Sequence, residues 1–206
     1  NGVHVFVEKP FTQTVPQGHD LISKSKKKNL KVTCGYIERF NPVTQYIAAK
    51  VTPILLEFHR ESCLPDHIAN DTGIVLDTMV HDIDTACYIF GAYPKEIKST
   101  LKNKNGINED LAITTLDFGF GLANIVSNWN TEIKMRTVHA TYTDMVVRDD
   151  FVKKEIKKIT PDHRIETIDY SGSNPLEMEL YHFIKCVQDN VPPMVTPEHA
   201  NKITEI

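Results

Sequence analysis

Four polar residues recur at helical spacing in the segment Gly73–Phe90, and two of them form a possible acid–base pair. Asp77 stands four residues before His81, and Asp84 and Tyr88 continue the spacing. On an α-helix these side chains form one stripe within a sector of about 60°. A carboxylate one turn before an imidazole can accept its Nδ1 proton and raise the basicity of the ring. The other ring nitrogen can then take a proton from a substrate hydroxyl.

Two other interpretations of this stripe stay open. An Asp/His pair on an exposed helix edge contributes roughly 0.2–0.5 kcal/mol and needs no catalytic role. Asp77, His81 and Asp84 could instead ligate a metal ion in a hydrolase. No second histidine lies nearby in the sequence to complete a usual ligand set, so we expect no metal.

A second polar group, Glu8, Lys9 and Pro10, follows the apolar run Val3–Val7. This run is typical of a strand that is buried on both faces of a parallel sheet. Ligands in open α/β sheets bind at the carboxyl ends of the strands, where a lysine can hold a substrate hydroxyl. A surface lysine after a strand is also ordinary. Pro10 predicts a sharp exit from the strand, for which a cis peptide bond is one solution.

A third polar group lies at the end of the next predicted strand, Leu30–Tyr36. Tyr36, Arg39 and Asn41 bring a hydroxyl, a guanidinium and an amide to the same sheet edge as Lys9. These groups suit a polyhydroxylated or phosphorylated ligand. Because Asn41 precedes a proline, the segment could instead serve only as a capped entry into the next helix.

The elements that must position these residues form two groups. The first strand, a helix at Val15–Lys28 and the second strand make one βαβ unit. From Pro94 to about Asp169 the sequence predicts strand after strand, and two helices follow, one beginning at Asn174 and one at Thr196. The plan is α+β: a large, open, mainly antiparallel sheet packed on helices, preceded by the βαβ unit.

Composition excludes several classes of protein. The 206 residues are 41% hydrophobic and 24% charged, which excludes disordered and fibrous proteins. The net charge of -4 supplies no basic field for nucleic acid or an anionic membrane, and no apolar run approaches the roughly 18 residues of a membrane span. The widely spaced cysteines predict reduced thiols in a cytoplasmic protein; they are Cys34, Cys63, Cys87 and Cys186.

Three motifs in this order resemble the glucose-fructose oxidoreductase and inositol dehydrogenase family (Gfo/Idh/MocA). They are Val5-Phe-Val-Glu-Lys-Pro10, Gly35-Tyr-x-x-Arg-Phe-x-Pro42 and Gly73-x-x-x-Asp77-x-x-x-His81-Asp-x-Asp84. The resemblance implies a Rossmann domain that binds NAD or NADP. It also implies an α+β domain that holds a sugar-like substrate and forms a homodimer or tetramer through its open sheet. The sequence around the second and third motifs is similar to that of family members that act on nucleotide sugars.

The resemblance also implies roles for single residues. Lys9 would contact substrate and nicotinamide, and His81, paired with Asp77, would be the general base. Glu8 and Pro10 would line the cofactor side. The residues expected near the substrate are Tyr36, Arg39 and Asn41.

One family feature is missing from the sequence, the Gly-x-Gly-x-x-Gly fingerprint. The nearest string, Gly119-Phe-Gly121-Leu-Ala-Asn124, ends in asparagine and lies in a predicted hairpin. We therefore expect residues 1–36 to be the C-terminal remnant of a Rossmann domain, and residues 37–206 to be the substrate-binding and oligomerisation domain. Such a fragment of an NAD(P)-dependent oxidoreductase would be inactive alone. The alternative is a non-catalytic substrate-binding or dimerisation module of the same fold.

Overall fold

The computed structural model describes residues 2–63, 72–104 and 108–206. Its first elements are strand β1 (Val5–Glu8), helix α1 (Val15–Lys27) and strand β2 (Val32–Gly35). The two strands pair in parallel, from Val5 opposite Val32 to Glu8 opposite Gly35. The predicted βαβ unit is confirmed.

The burial predicted for β1 is wrong. Val3 and Val5 are exposed, whereas every residue of β2 is buried. Within the described residues β2 is the one strand that pairs with β1, so the other edge of β1 has no neighbouring strand to cover it.

A 3₁₀ turn (Ile37–Phe40) leads into helix α2 (Pro42–Ala48), strand β3 (Leu55–Cys63), a π-helical turn (Val75–Met79) and helix α3 (Val80–Phe90). Helix α3 ends at Gly91 in the left-handed conformation, with φ of 63°, as expected of a C-terminal glycine. The sequence predicted one α-helix from Gly73 to Phe90. Its first turn is wider instead, because Val80 N–H donates to the carbonyl of Val75, five residues back.

Seven further strands complete an eight-stranded sheet in the order β10-β9-β8-β7-β3-β6-β5-β4. They are β4 (Glu96–Lys102), β5 (Leu111–Asp117), β6 (Leu122–Asn128), β7 (Asn130–Thr141), β8 (Val146–Asp150), β9 (Glu155–Ile159) and β10 (Ile165–Asp169). Every pair is antiparallel except β3 with β6. The π turn and α3 pack on β6. The predicted fold class is confirmed.

Helices α4 (Pro175–Gln188) and α5 (Pro197–Glu205) end the chain. The residues form two compact units, one of Asn1–Phe40 with Asn174–Ile206 and the other of Asn41–Ser173. The first boundary between the two units, after Phe40, lies close to the domain boundary expected after residue 36. Residues 174–206, which we expected in the second domain, belong to the first unit because α5 packs on α1 and β2 and α4 packs on the 3₁₀ turn.

Two smaller predictions concern the thiols and the membrane. None of the four cysteines, which all lie within the described residues, forms a disulfide; three are buried and Cys63 is exposed. Among the described residues, no helix combines the length and the apolar character needed to cross a membrane.

Candidate functional site

The first two motifs meet at the carboxyl edge of β1 and β2. Glu8 lies opposite Gly35 in the parallel register, so Lys9 and Tyr36 each follow one member of that pair. The Lys9–Pro10 peptide is cis, as the sequence suggested. A Cβ at Gly35 would lie 2.9 Å from Glu8 Oε2, which is closer than a side chain tolerates. Glycine at this position lets the Glu8 carboxylate lie over the neighbouring strand.

The structure uses Arg39 inside the first unit. Its side chain is buried, Nη1 donates to the carbonyl of Met194 at 3.2 Å, and Nη2 contacts His199 Nε2. The N–H of Met194 donates in turn to His182 Nε2 at 2.9 Å. Arg39 therefore ties the segment before α5 to the 3₁₀ turn.

Tyr36 and Asn41 are also buried. Asn41 Oδ1 accepts a hydrogen bond from Val43 N–H at 3.2 Å, which confirms the predicted N-cap of α2. These contacts favour the interpretation of this segment as a capped helix entry.

The Asp77 and His81 side chains lie on the π turn and on the first turn of α3, and both are half-buried. Asp77 Oδ2 accepts from Thr78 Oγ1 at 3.2 Å. The hydrogen bond that the sequence predicts between Asp77 and His81 Nδ1 stays a prediction. The π turn changes the α-helical relation of positions i and i+4 on which this prediction relied.

The rest of the predicted stripe is not an exposed helix edge. Asp84 is 0% exposed, and within α3 only His81 and Tyr88 are less than fully buried. A solvated surface pair is therefore the wrong interpretation of these residues. The described residues also contain no group of three His, Cys, Asp or Glu side chains arranged to hold a metal ion.

Glu109 supports the turn that carries Asp77. Its carbonyl accepts from Ile74 N–H at 2.9 Å, and its Oε1 accepts from Val75 N–H at 3.3 Å. A Cβ at Gly73 would lie 2.0 Å from that Oε1 atom. Gly73 therefore leaves room for a carboxylate that satisfies N–H groups at the start of the helix.

Asp77 lines a cavity of about 150 Å³ that lies entirely within the second unit. Its other lining residues include Arg60, Thr78, Trp129, Lys134 and Arg136. Sequence reasoning missed Arg60 and the residues of Trp129 to Arg136. A signal was present for Arg60, because it continues the alternation of Leu56 and Phe58, which places a charge on the buried face of β3.

Arg60 forms a buried ion pair with Asp82. Its Nε donates to Asp82 Oδ1 and Oδ2 at 2.8 and 2.7 Å, and the two side chains are 5% and 1% exposed. A buried pair of this kind requires both charges, because either one alone would be left desolvated. The pair therefore fixes α3, and with it His81, to strand β3.

Comparison with known proteins connects this fold to a family. The family description "GFO/IDH/MocA C-terminal domain" matches residues 60–145. Two solved structures share the fold. One is the UDP-N-acetylglucosamine 3-dehydrogenase from Acidithiobacillus ferrooxidans (TM-score 0.92, 22% identity, 99% of this chain and 68% of that one). The other is the aldose-aldose oxidoreductase from Caulobacter crescentus complexed with glycerol (TM-score 0.88, 18% identity, 99% and 68%).

Sequence relatives agree with the structures. The A. ferrooxidans UDP-N-acetylglucosamine 3-dehydrogenase is 24% identical over 203 residues, which cover 93% of this chain and 64% of that protein. The scyllo-inositol 2-dehydrogenase (NAD(+)) of Bacillus subtilis is 25% identical over 231 residues, covering 100% and 67%. The chain spans about two thirds of the length of these relatives. Residues 60–145 match the C-terminal domain of the Gfo/Idh/MocA family that the motifs resemble, and the open-sheet α+β fold is shared with oxidoreductases of known structure.

Proposed function

We propose that the protein is part of an NAD(P)-dependent oxidoreductase. This enzyme transfers a hydride between nicotinamide and a carbinol carbon of a sugar, nucleotide sugar or cyclitol. One observation carries the proposal: Asp77 lines a cavity, and His81 remains half-buried on a helix that is otherwise almost fully buried. The printed activities of relatives, a nucleotide-sugar dehydrogenase and an inositol dehydrogenase, support the same reaction class.

In this reaction His81 removes the proton from the substrate hydroxyl as the general base. Asp77 supplies a negative charge about one turn away, which stabilises the imidazolium that forms. Lys9 donates to the substrate oxygen and offsets the negative charge that develops there. We propose that Arg39 and Asn41 stabilise the chain segment between β2 and α2. Tyr36 would pack beneath the carboxyl edge of β1 and β2, where the substrate would bind.

Glu8, Lys9 and Pro10 are proposed to hold the nicotinamide end of NAD or NADP, which accepts the hydride when it is bound. A carboxylate acceptor and an ammonium donor at the carboxyl edge of β1 fit the hydroxyl and amide groups of that end. The described residues contain no Gly-x-Gly-x-x-Gly turn, the usual element that receives the pyrophosphate. The nearest glycine-rich string is a hairpin turn, closed by Phe118 N–H donating to the Gly121 carbonyl at 3.0 Å.

This missing pyrophosphate turn favours a second candidate, a substrate-binding or dimerisation module of the same fold that is inactive alone. The open sheet would form a homodimer or tetramer, and its uncovered face exposes Ile113 and Leu122. Titration of NADH against this chain separates the candidates. We expect no micromolar binding by the chain alone, and tight binding would contradict the module.

Substitution of His81 tests the catalytic proposal in the full-length protein. We expect His81→Ala to lower turnover by about 10²- to 10⁴-fold, the usual contribution of a general base, without changing the urea unfolding midpoint. Tyr88→Phe, two turns further along the same side of α3, is the matched control and should keep its turnover. Unchanged turnover in His81→Ala would refute the assignment.

A further inference from the structure

Gly73 and Glu109 meet at the start of the π turn that carries Asp77. A Cβ at Gly73 would lie 2.0 Å from Glu109 Oε1 and 2.3 Å from Oε2, so no other residue fits there while the carboxylate keeps its place. Gly73 is not among the glycines with positive φ, so its backbone conformation does not require glycine. The missing side chain at position 73 therefore serves to admit the Glu109 carboxylate.

Glu109 accepts hydrogen bonds from two consecutive N–H groups of this turn. Val75 N–H donates to Glu109 Oε1 at 3.3 Å, across 34 residues of sequence, and Ile74 N–H donates to the Glu109 carbonyl at 2.9 Å. The first N–H groups of a helix have no partner within the helix. Glu109 supplies such partners from a distant segment, one of them through its side chain.

The next residue, Asp110, fixes the backbone of Glu109. Asp110 is 2% exposed, and its Oδ1 accepts from the side-chain amide of Asn130 at 3.1 Å. Its carbonyl accepts from Trp129 N–H at 2.9 Å. Because Trp129 and Asp77 line the same cavity, the Glu109–Asp110 dipeptide connects the two sides of that cavity.

The π turn lies between two anchored points of the chain. Glu109 holds its start, and the ion pair of Asp82 with Arg60 holds the first turn of α3 that follows it. Asp77 lies between these points, and its N–H donates to the Gly73 carbonyl at 3.1 Å. A shift at the start of the turn therefore moves Asp77 while α3 stays tied to the sheet.

We infer that Glu109 is a positioning residue, which holds Asp77 in the place relative to His81 that the acid–base step requires. Gly73 provides the space in which the carboxylate does so. The inference rests on the proposed function, because Glu109 acts through that acid–base pair. Misplacement of a reacting group by about 1 Å can lower a rate by about 10²-fold. The role needs a hydrogen-bond acceptor and no charge, so an amide should serve as well.

Turnover of the full-length protein tests this role, with NAD and either UDP-N-acetylglucosamine or scyllo-inositol as probes. Glu109→Ala should lower kcat and kcat/KM together by about 10- to 100-fold, because the transition state loses stabilisation and substrate binding does not. Glu109→Gln keeps an oxygen acceptor for Val75 N–H and should retain turnover. Glu166→Ala is the matched control, since this exposed glutamate on β10 also accepts a hydrogen bond, from Lys158 at 3.4 Å.

Gly73→Ala displaces the carboxylate without changing Glu109, so it provides a second variant in case Glu109→Ala folds poorly. It should lower kcat by a similar factor. The double variant Gly73→Ala/Glu109→Ala should lose no more than either single variant, because both substitutions remove the same contact. Additive losses, or an equal loss in Glu109→Gln and Glu109→Ala, would overturn the inference.

Amide hydrogen exchange of this chain gives a readout that needs no turnover. Exchange at Ile74 and Val75 should be faster in Glu109→Ala and Gly73→Ala, and unchanged in Glu109→Gln. Unchanged exchange in Glu109→Ala would overturn the inference whatever the kinetics show. Faster exchange in Glu109→Ala together with full turnover in His81→Ala would instead refute the proposed function, so the two failures are distinguishable.

Discussion

Two arginines, one in each compact unit, are equally buried and have different surroundings. Arg39 and Arg60 are both 4% exposed. Arg39 contacts the Met194 carbonyl and His199 in the first unit. Arg60 pairs with the Asp82 carboxylate in the second unit and lines the cavity that contains Asp77.

The difference shows that a motif and a site need not coincide. Arg39 belongs to a motif that resembles a family signature, yet its observed contacts tie together parts of its own unit. Arg60 belongs to no motif that the sequence analysis used, yet it links the sheet to the helix of His81. Residue type and burial are the same for both, so the partners decide the role.

The largest expected effect on stability comes from breaking the Arg60–Asp82 ion pair. Asp82→Ala should lower the free energy of unfolding by about 3–5 kcal/mol, because it leaves the Arg60 charge buried without its carboxylate. Urea denaturation followed by circular dichroism measures the change. The exposed pair of Asp20 and Lys24 provides the control, since Asp20→Ala should cost less than about 1 kcal/mol.

The double variant Arg60→Met/Asp82→Leu should recover most of that stability, because an apolar pair of similar volume removes both desolvation costs. Equal destabilisation in the single and double variants would show that the loss comes from packing. In that case the ion pair with Asp82 would not be the feature that distinguishes Arg60 from Arg39.

Arg39→Met should destabilise the protein less, by about 1.5–3 kcal/mol, which is the usual contribution of hydrogen bonds from a charged donor. Amide hydrogen exchange should increase mainly between residues 194 and 199, where its contacts lie. Unchanged stability combined with lost sugar binding would return Arg39 to the substrate site and remove the contrast with Arg60.

The smallest effect concerns His182, whose Nε2 accepts from Met194 N–H. Burial lowers its pKa below the ordinary value of a histidine side chain. The folded state therefore favours the neutral ring. The stability that the folded state gains from the neutral His182 ring is complete above about pH 6.5, the usual pKa of histidine. It is lost as the pH falls through the lower pKa of the folded state.

His182→Gln keeps an acceptor and removes the titration, so the unfolding midpoint should fall less steeply between about pH 6.5 and 5. Some slope should remain, because burial also lowers the pKa of His139. Thermal unfolding at several pH values measures the slope. An unaltered slope in His182→Gln would contradict this account.

Much of the fold could be predicted because its signals are local. Alternating residues predicted the strands, the βαβ unit followed from its first three elements, and Asn41 and Gly91 marked the helix ends where they are found. The errors were non-local. Nothing adjacent in sequence indicated that β1 pairs with a single strand among the described residues, or that residues 174–206 pack with the first unit.

The site was predictable to the same extent. Asp77 and His81 could be found because helical spacing is a property of neighbouring residues. The π turn could not, since it depends on a hydrogen bond from Val80 to Val75 and on support from Glu109, 34 residues away from Val75. The wider turn changes the i, i+4 spacing on which the predicted pair of Asp77 and His81 relied.

The sequence by itself determined the class of fold, the motifs of the family and the residues able to do acid–base chemistry. Only the tertiary structure decided which charged residues line a cavity and which tie together parts of their own unit. The physical reason is that periodicity and capping depend on residues within a few positions. The partners of a buried charge, in contrast, come from strand register and packing between distant segments, as Arg136 opposite Arg60 illustrates.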